Sequence, residues 1–159
     1  FSPVLLADVV HETLGFLAAD ARENRVRLVT DLAEVGPVMA DRILLEQVLI
    51  NLIRNGMEAM PPDRRQGDQL TVRVFPGTQG GAVIEVADQG TGISREVQDR
   101  LFDPFTSSKA EGMGIGLNIC RSIVELHRGH LTHRPGPSGG TVFSVVLPDF
   151  QQESERAAE

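Results

Sequence analysis

The sequence predicts an α/β domain built on a mixed β-sheet, and three observations carry that prediction. Apolar residues recur at three- and four-residue intervals over 8–23, 41–60 and 115–127, the period of helices that bury one face. Between these runs lie short stretches rich in Val, Ile, Leu, Thr and Phe, at 26–30, 38–40, 70–75, 82–87, 131–134 and 141–147, which read as strands. Two pairs of those strands are separated only by glycine-rich turns, at 76–81 and 135–140, so they form hairpins and the sheet cannot be all parallel. No internal repeat or low-complexity segment appears.

The first helix is amphipathic through Val9, Val10, Leu14, Leu17, Ala18 and Ala21. Gly36-Pro37 turns the chain before the short strand at 38–40. The helix over 41–60 then carries Leu45, Val48, Leu49, Leu52, Ile53, Met57 and Met60 on its apolar side, with Asp41 as N-cap and Pro61-Pro62 as terminator. At about 100° per residue, its Gln47, Asn51, Arg54, Asn55 and Glu58 share one polar stripe. A solvated face explains such a stripe in most helices, but two Asn one turn apart are unusual, because Asn favours caps over helix interiors.

A charged loop at 63–68 precedes the first hairpin. After the strand at 82–87 comes Asp88-Gln-Gly-Thr-Gly-Ile93, and Ser94 is placed to cap a short helix reaching 101. Residues 102–114 have no period, the helix over 115–127 takes Gly129 as its C′ residue, and the tail from 151 is polar and frayed. The chain therefore divides into one domain over 1–150 and a tail over 151–159.

Bulk properties exclude several classes. At 159 residues and 41% hydrophobic the chain can bury a core, and no apolar run approaches the length that spans a membrane. A start at Phe1 with no leader pattern is expected of a fragment of a longer protein. A net charge of −7 argues against a basic nucleic-acid-binding face, but an acidic chain can still hold a polyanion through backbone N–H groups and a metal ion. Cys120, the one cysteine, sits in a helical apolar pattern and reads as a buried thiol, which rules out a disulfide or a cysteine zinc site. His130 and His133 flank a strand and lack further ligands, so they read as surface residues.

Four features remain: the Asn51/Asn55 stripe; Asp88-x-Gly90-x-Gly92; Phe102-Asp-Pro-Phe105 with Thr106-Ser-Ser-Lys109; and Gly112-Met113-Gly114-Ile115-Gly116-Leu117 opening into a helix. Taken singly, each has an ordinary structural explanation, such as a hairpin turn for the Asp-Gly loop or core anchoring for the two Phe. The last is an anion site in principle, since N–H groups at a helix start are free and glycines block nothing. It is not a Walker loop, having no Gly-Lys-Ser/Thr, and no strand leads into it as a dinucleotide fingerprint requires.

In this order and spacing the four closely resemble the catalytic and ATP-binding domain of bacterial sensor histidine kinases, in the GHKL ATPase superfamily. NLIRNGMEAM is similar to the N box, DQGTG to the first glycine box, FDPF to the F box, GMGIGL to the second glycine box, and GGTVFSVVLP to the closing strand. The short 105–112 loop is most similar to kinases of the oxygen-sensor and nitrogen-regulation type.

The resemblance implies a two-layer α/β sandwich, the Bergerat fold, with a mixed sheet packed on one face by helices. It implies ATP bound with Mg²⁺ between the helices and a lid over 105–112. On the matching positions, Asn55 holds the metal and Asn51 stands one turn earlier on the same catalytic wall. Asp88 accepts from the adenine amino group; Gly90, Gly92 and Ile93 form the adenine floor; and Thr141 meets the base pocket. Phe105 and Lys109 belong to the lid, and Gly112, Met113, Gly114, Ile115, Gly116 and Leu117 present the helix start to the phosphates.

Departures from the pattern are Gly56, where Ala is commoner, and Glu58, which lies among the nucleotide contacts where many relatives carry a basic residue. Asn51 replaces the general-base Glu of the gyrase and chaperone branches, so water activation should be poor. The family's phosphoacceptor motif is absent: His11-Glu12 is followed by Phe16 where Pro belongs, and falls in the first helix of the domain. The implied partners are the parent's dimerisation and phosphoacceptor domain and the receiver domain of a response regulator, with no nucleic acid and no membrane insertion. The isolated domain is expected to be a cytoplasmic monomer, whether or not the parent is membrane-anchored. A GHKL serine kinase of the anti-sigma type and a non-catalytic nucleotide sensor remain as alternatives.

Overall fold

The computed structural model describes residues 1–60, 67–94, 98–99, 101–103, 113–137 and 139–149. The lid over 105–112, the tail from 151, most of the 63–68 loop and much of the short helix expected over 94–101 lie outside the described residues. The described elements are β1 Ser2–Val4, α1 Leu6–Glu23, β2 Arg27–Leu32, β3 Val38–Ala40, α2 Arg42–Glu58, β4 Gln69–Pro76, β5 Ala82–Ala87, α3 Met113–Leu126, β6 His130–Pro135 and β7 Thr141–Leu147.

The main sheet has the order β2-β4-β5-β7-β6. Only β2 and β4 run parallel, because the chain between them crosses over through β3 and α2; the other neighbours are antiparallel. The sheet is thus mixed, as expected. The strand β1 was not anticipated: Ser2-Pro3-Val4 has no alternation to read, and it forms by pairing antiparallel with β3.

Period-two alternation sorts the sheet into two faces. Leu70, Val72, Val74, Ile84, Val86, Phe143, Val145 and Leu131 are buried on one, against Val9, Val10 and Leu17 of α1, Leu45, Val48, Leu49, Leu52 and Ile53 of α2, and Leu117, Cys120 and Val124 of α3. The other face carries a polar row in register: Asp31, Arg73, Glu85 and Ser144 are successive cross-strand partners. Arg73 bridges Asp31 at 3.4 Å and Glu85 at 3.4 Å, and Arg134 reaches Glu85 at 2.8 Å. This charged lattice closes the uncovered face and separates it from the apolar one.

Helix ends follow local chemistry. Asp41 caps α2 by accepting from Leu44 N–H at 3.0 Å. At the end of α3 the left-handed residue is Arg128 (φ 58°) rather than Gly129, whose N–H returns to Val124 O at 2.9 Å. Gly129 is required for a different reason: a Cβ there would sit 2.3 Å from Val146 O. Arg25 (φ 56°) ends α1 in the same way, with Val26 N–H on Ala21 O at 2.9 Å.

One short repeat does exist. Pro76-Gly-x-x-Gly-Gly81 and Pro135-Gly-x-x-Gly-Gly140 close the two hairpins with the same turn. Gly77 N–H bonds Gly81 O at 3.2 Å, and Gly136 N–H bonds Gly140 O at 3.0 Å. Among the described residues no helix is long and apolar enough to cross a membrane.

Candidate functional site

α2 and α3 pack antiparallel in a readable register. Asp41 N–H donates to His127 Nε2 at 3.0 Å, the Cys120 thiol lies 3.8 Å from Val48 O, and a Cβ on Gly116 would stand 3.9 Å from Asn51 Cγ. Asn51 therefore faces the glycine-rich first turn of α3. Continuing the register by one turn sets Asn55 level with the start of that helix. The glycine box itself opens α3 from Met113, so Met113, Gly114 and Ile115 supply N–H groups with no partner inside the helix. Leu117 turns into the core.

The polar stripe of α2 divides by what packs beside it. Arg54 pairs with Asp20 of α1 at 3.6 Å, and Gln47 is exposed. Asn55 is only 8% exposed and its Nδ2 has no hydrogen-bond partner. Glu58 is exposed and lines a cavity of about 270 Å³ with Asp20, Asn24, Arg54 and Met57, on the α1 side.

Asp88 stands at the end of β5, where α2 comes down on the sheet. A Cβ on Gly56 would lie 2.6 Å from Leu70 Cδ1 and 3.4 Å from Asp88 Cβ, and one on Gly90 would lie 2.3 Å from Ala59 O. Gly56, an apparent weakness in the helix, is what lets α2 lie this close to Leu70 and Asp88. Asp88 is 7% exposed; its Oδ1 accepts from Gly90 N–H at 2.9 Å and Thr141 N–H at 3.2 Å. Burial pushes this carboxyl above the usual aspartate range, and the two N–H groups offset part of that rise. Burial likewise pushes the Cys120 thiol up to about 11, which leaves it inert between the two helices.

Gly92 (φ 81°), Ile93 and Thr141 line one cavity of about 470 Å³ together with Gln98 and His133, and Gln98 Nε2 donates to Ile93 O at 3.1 Å. Asn51 thus faces Gly116 across the α2–α3 contact, Asp88 and Gly90 lie against the C-terminal end of α2, Leu117 is buried in the core, and Gly92, Ile93 and Thr141 line the 470 Å³ hollow. Phe105, Lys109 and Gly112 lie outside the described residues. Among the described residues no three His, Cys, Asp or Glu side chains gather as a metal site. Sequence reasoning missed Gly140 and His127; the repeated P-G-x-x-G-G turn was the available signal for the first.

Comparison with known proteins gives the same assignment. The family model for histidine kinase-, DNA gyrase B-, and HSP90-like ATPases matches residues 40–151. The C4-dicarboxylate transport sensor protein DctS of Rhodobacter capsulatus is 58% identical over 149 residues, covering 92% of this chain and 22% of that protein. The sensor protein FixL of Bradyrhizobium diazoefficiens is 38% identical over 144 residues, 90% of this chain and 28% of its own. The chain thus spans about a quarter of the length of these relatives. Among solved structures, the catalytic domain of histidine kinase ThkA superposes with a TM-score of 0.81 at 26% identity, over 94% of this chain and 95% of that one. The chain belongs to the histidine kinase-, DNA gyrase B- and HSP90-like ATPase family, and within it to the catalytic domains of sensor histidine kinases.

Proposed function

We propose that this domain holds ATP with Mg²⁺ and delivers the γ-phosphate to a histidine on the parent's dimerisation domain, for transfer onward to a response-regulator receiver domain. ATP binding follows from the family; the metal, the residue roles and the partners are the proposal. The observation that carries it is the buried Asp88 carboxylate, held through Oδ1 by two backbone N–H groups where Gly56 of α2 comes down on it. An ionised carboxylate offers only acceptors, so it selects a base bearing an amino group over one bearing a carbonyl.

The residues present fit Mg²⁺. The Asn55 Nδ2 is buried without a hydrogen-bond partner, and the amide's oxygen and nitrogen exchange places by a flip, which would turn an acceptor to that position. One neutral donor suits a cation that keeps several waters and is held mainly by phosphate oxygens. Mg²⁺ would supply neutralisation of charge on the phosphates. Asn55 would hold it, Asn51 would line the same wall, and the open N–H groups of α3 from Met113 would receive the phosphate oxygens. Asp88 orients the base, with Gly92, Ile93 and Thr141 bounding it. Asn51 has no basic group, so a bound water is not deprotonated and the phosphoryl group is kept for a protein acceptor.

Isothermal calorimetry tests the binding half. The wild type should bind ATP with Mg²⁺, and Asn55→Ala should weaken Mg²⁺-dependent binding far more than metal-free binding. Equal weakening of both would remove Asn55 from the metal.

A further inference from the structure

The two hairpin turns are copies, but only one of them touches the site. In each, the last two glycines take a left-handed backbone: Gly80 φ 86° and Gly81 φ 72° in one, Gly139 φ 99° and Gly140 φ 76° in the other. Because β5 and β7 are antiparallel neighbours, each turn lies against the end of the strand from the other hairpin. A Cβ on Gly81 would fall 2.1 Å from Leu147 O, and a Cβ on Gly140 would fall 2.2 Å from Asp88 O. The packing is the same to that point. Beyond it the copies differ, since Leu147 ends its strand in an apolar side chain and Asp88 in a carboxylate. A Cβ on Gly140 would also stand 2.7 Å from Asp88 Oδ1, the oxygen that Thr141 N–H and Gly90 N–H share. Among the described residues, no hydrogen bond falls on Oδ2.

We infer that the 135–140 turn sets base specificity. The missing side chain at Gly140 lets the turn close on Asp88, so that one carboxylate oxygen is pinned by backbone and the other is left as the sole acceptor for an amino-bearing base. Gly140 is a positioning residue, acting through Asp88. This deepens the proposal that Asp88 reads the base and rests on it.

The duplicate turn supplies a matched control. Gly81→Ala and Gly140→Ala meet the same backbone clash and the same left-handed strain, so both should lower the unfolding temperature by a similar amount, on the order of 5 °C or more. Calorimetry with ADP and with GDP then separates them. Gly81→Ala should keep the wild-type ratio of affinities. Gly140→Ala should lose about tenfold in ADP affinity, the worth of one well-oriented hydrogen bond, and the ratio should shrink by the same factor. An unchanged ratio in Gly140→Ala, or an equal loss in Gly81→Ala, would overturn the inference. A wild type that binds ADP and GDP alike would instead remove Asp88 as the base reader, and the inference with it. If Gly140→Ala does not fold, hydrogen exchange on the wild type decides. The Gly90 and Thr141 amides should stay protected when ADP binds, and their deprotection would mean that Oδ1 is not held by the turn.

Discussion

The Asp41 N–H donates to His127 Nε2 at 3.0 Å, while His127 Nδ1 lies 2.8 Å from Ile123 O. Both ring nitrogens are used, so Nδ1 carries the proton, and the imidazole ties the C-terminal end of α3 to the N-cap of α2. Phe1 stacks on the same ring with centroids 4.5 Å apart. The clasp lies at the opposite end of the helix pair from Asn51 and Gly116. His127→Leu leaves a buried N–H without an acceptor and should cost about 1–3 kcal/mol in urea unfolding. His127→Gln retains an acceptor oxygen and should recover most of that loss; equal loss in both would mean that packing, not the hydrogen bond, is what matters.

Thr13 is 0% exposed on the inner face of α1, and its hydroxyl has no hydrogen-bond partner. Replacing it by Val keeps the branched shape and removes the unsatisfied group. Thr13→Val should therefore raise stability by about 1 kcal/mol, read as a higher unfolding temperature. A drop would show that the hydroxyl finds a partner in solution.

Acid should weaken nucleotide binding through Asp88. Burial raises its folded value above the ordinary one near 3.8, so folding takes up a proton. Its contribution to stability is present below the unfolded value and is lost as pH rises through the folded value. The charged form, which accepts from the base, is lost in the opposite direction. ADP affinity should accordingly decline as pH falls through that raised value, and Asp88→Asn should bind weakly at every pH with a flat profile. Asp88→Asn should be at least as stable as wild type at neutral pH, because it removes a buried charge. A wild-type affinity that stays level down to the ordinary aspartate range would contradict this.

Much of this was legible in the sequence. The helix around Asn51 declares itself through its period, its Asp41 cap and its closing prolines, and each of those signals is local. The hairpins over 69–87 and 130–147 are equally local, since a short glycine turn leaves two strands no other arrangement. What was hidden depends on distant parts of the chain. The strand at Ser2–Val4 exists only because β3 lies beside it. Arg54 sits on the same stripe as Asn55 by angle, yet it faces Asp20 because α1 packs there. Gly56 and Gly140 look like helix weakening and plain turn chemistry until Asp88 is placed against both. Arg128 takes the left-handed position while Gly129 is kept free of a side chain by Val146 O, a contact no local pattern announces.

The Cys120 thiol, pushed up to about 11 by burial, should react with thiol reagents slowly in the native chain. At pH 8 the rate should fall below that of the unfolded chain on the order of a hundredfold or more, and should jump across the urea transition. Fast labelling without unfolding would mean that the α2–α3 contact at Val48 opens readily.

The central claim is that this domain carries the nucleotide and the acceptor lies elsewhere. His11 is exposed on α1, in a segment that departs from the acceptor pattern at Phe16. Transfer requires the acceptor nitrogen in line with the γ-phosphate, so positioning is the main contribution of the enzyme. The decisive measurement is incubation with γ-labelled ATP and Mg²⁺, alone and with the parent's dimerisation hairpin added in trans. The account predicts no label on this chain and acid-labile phosphohistidine on the hairpin; stoichiometric label on His11 of the isolated chain would contradict it.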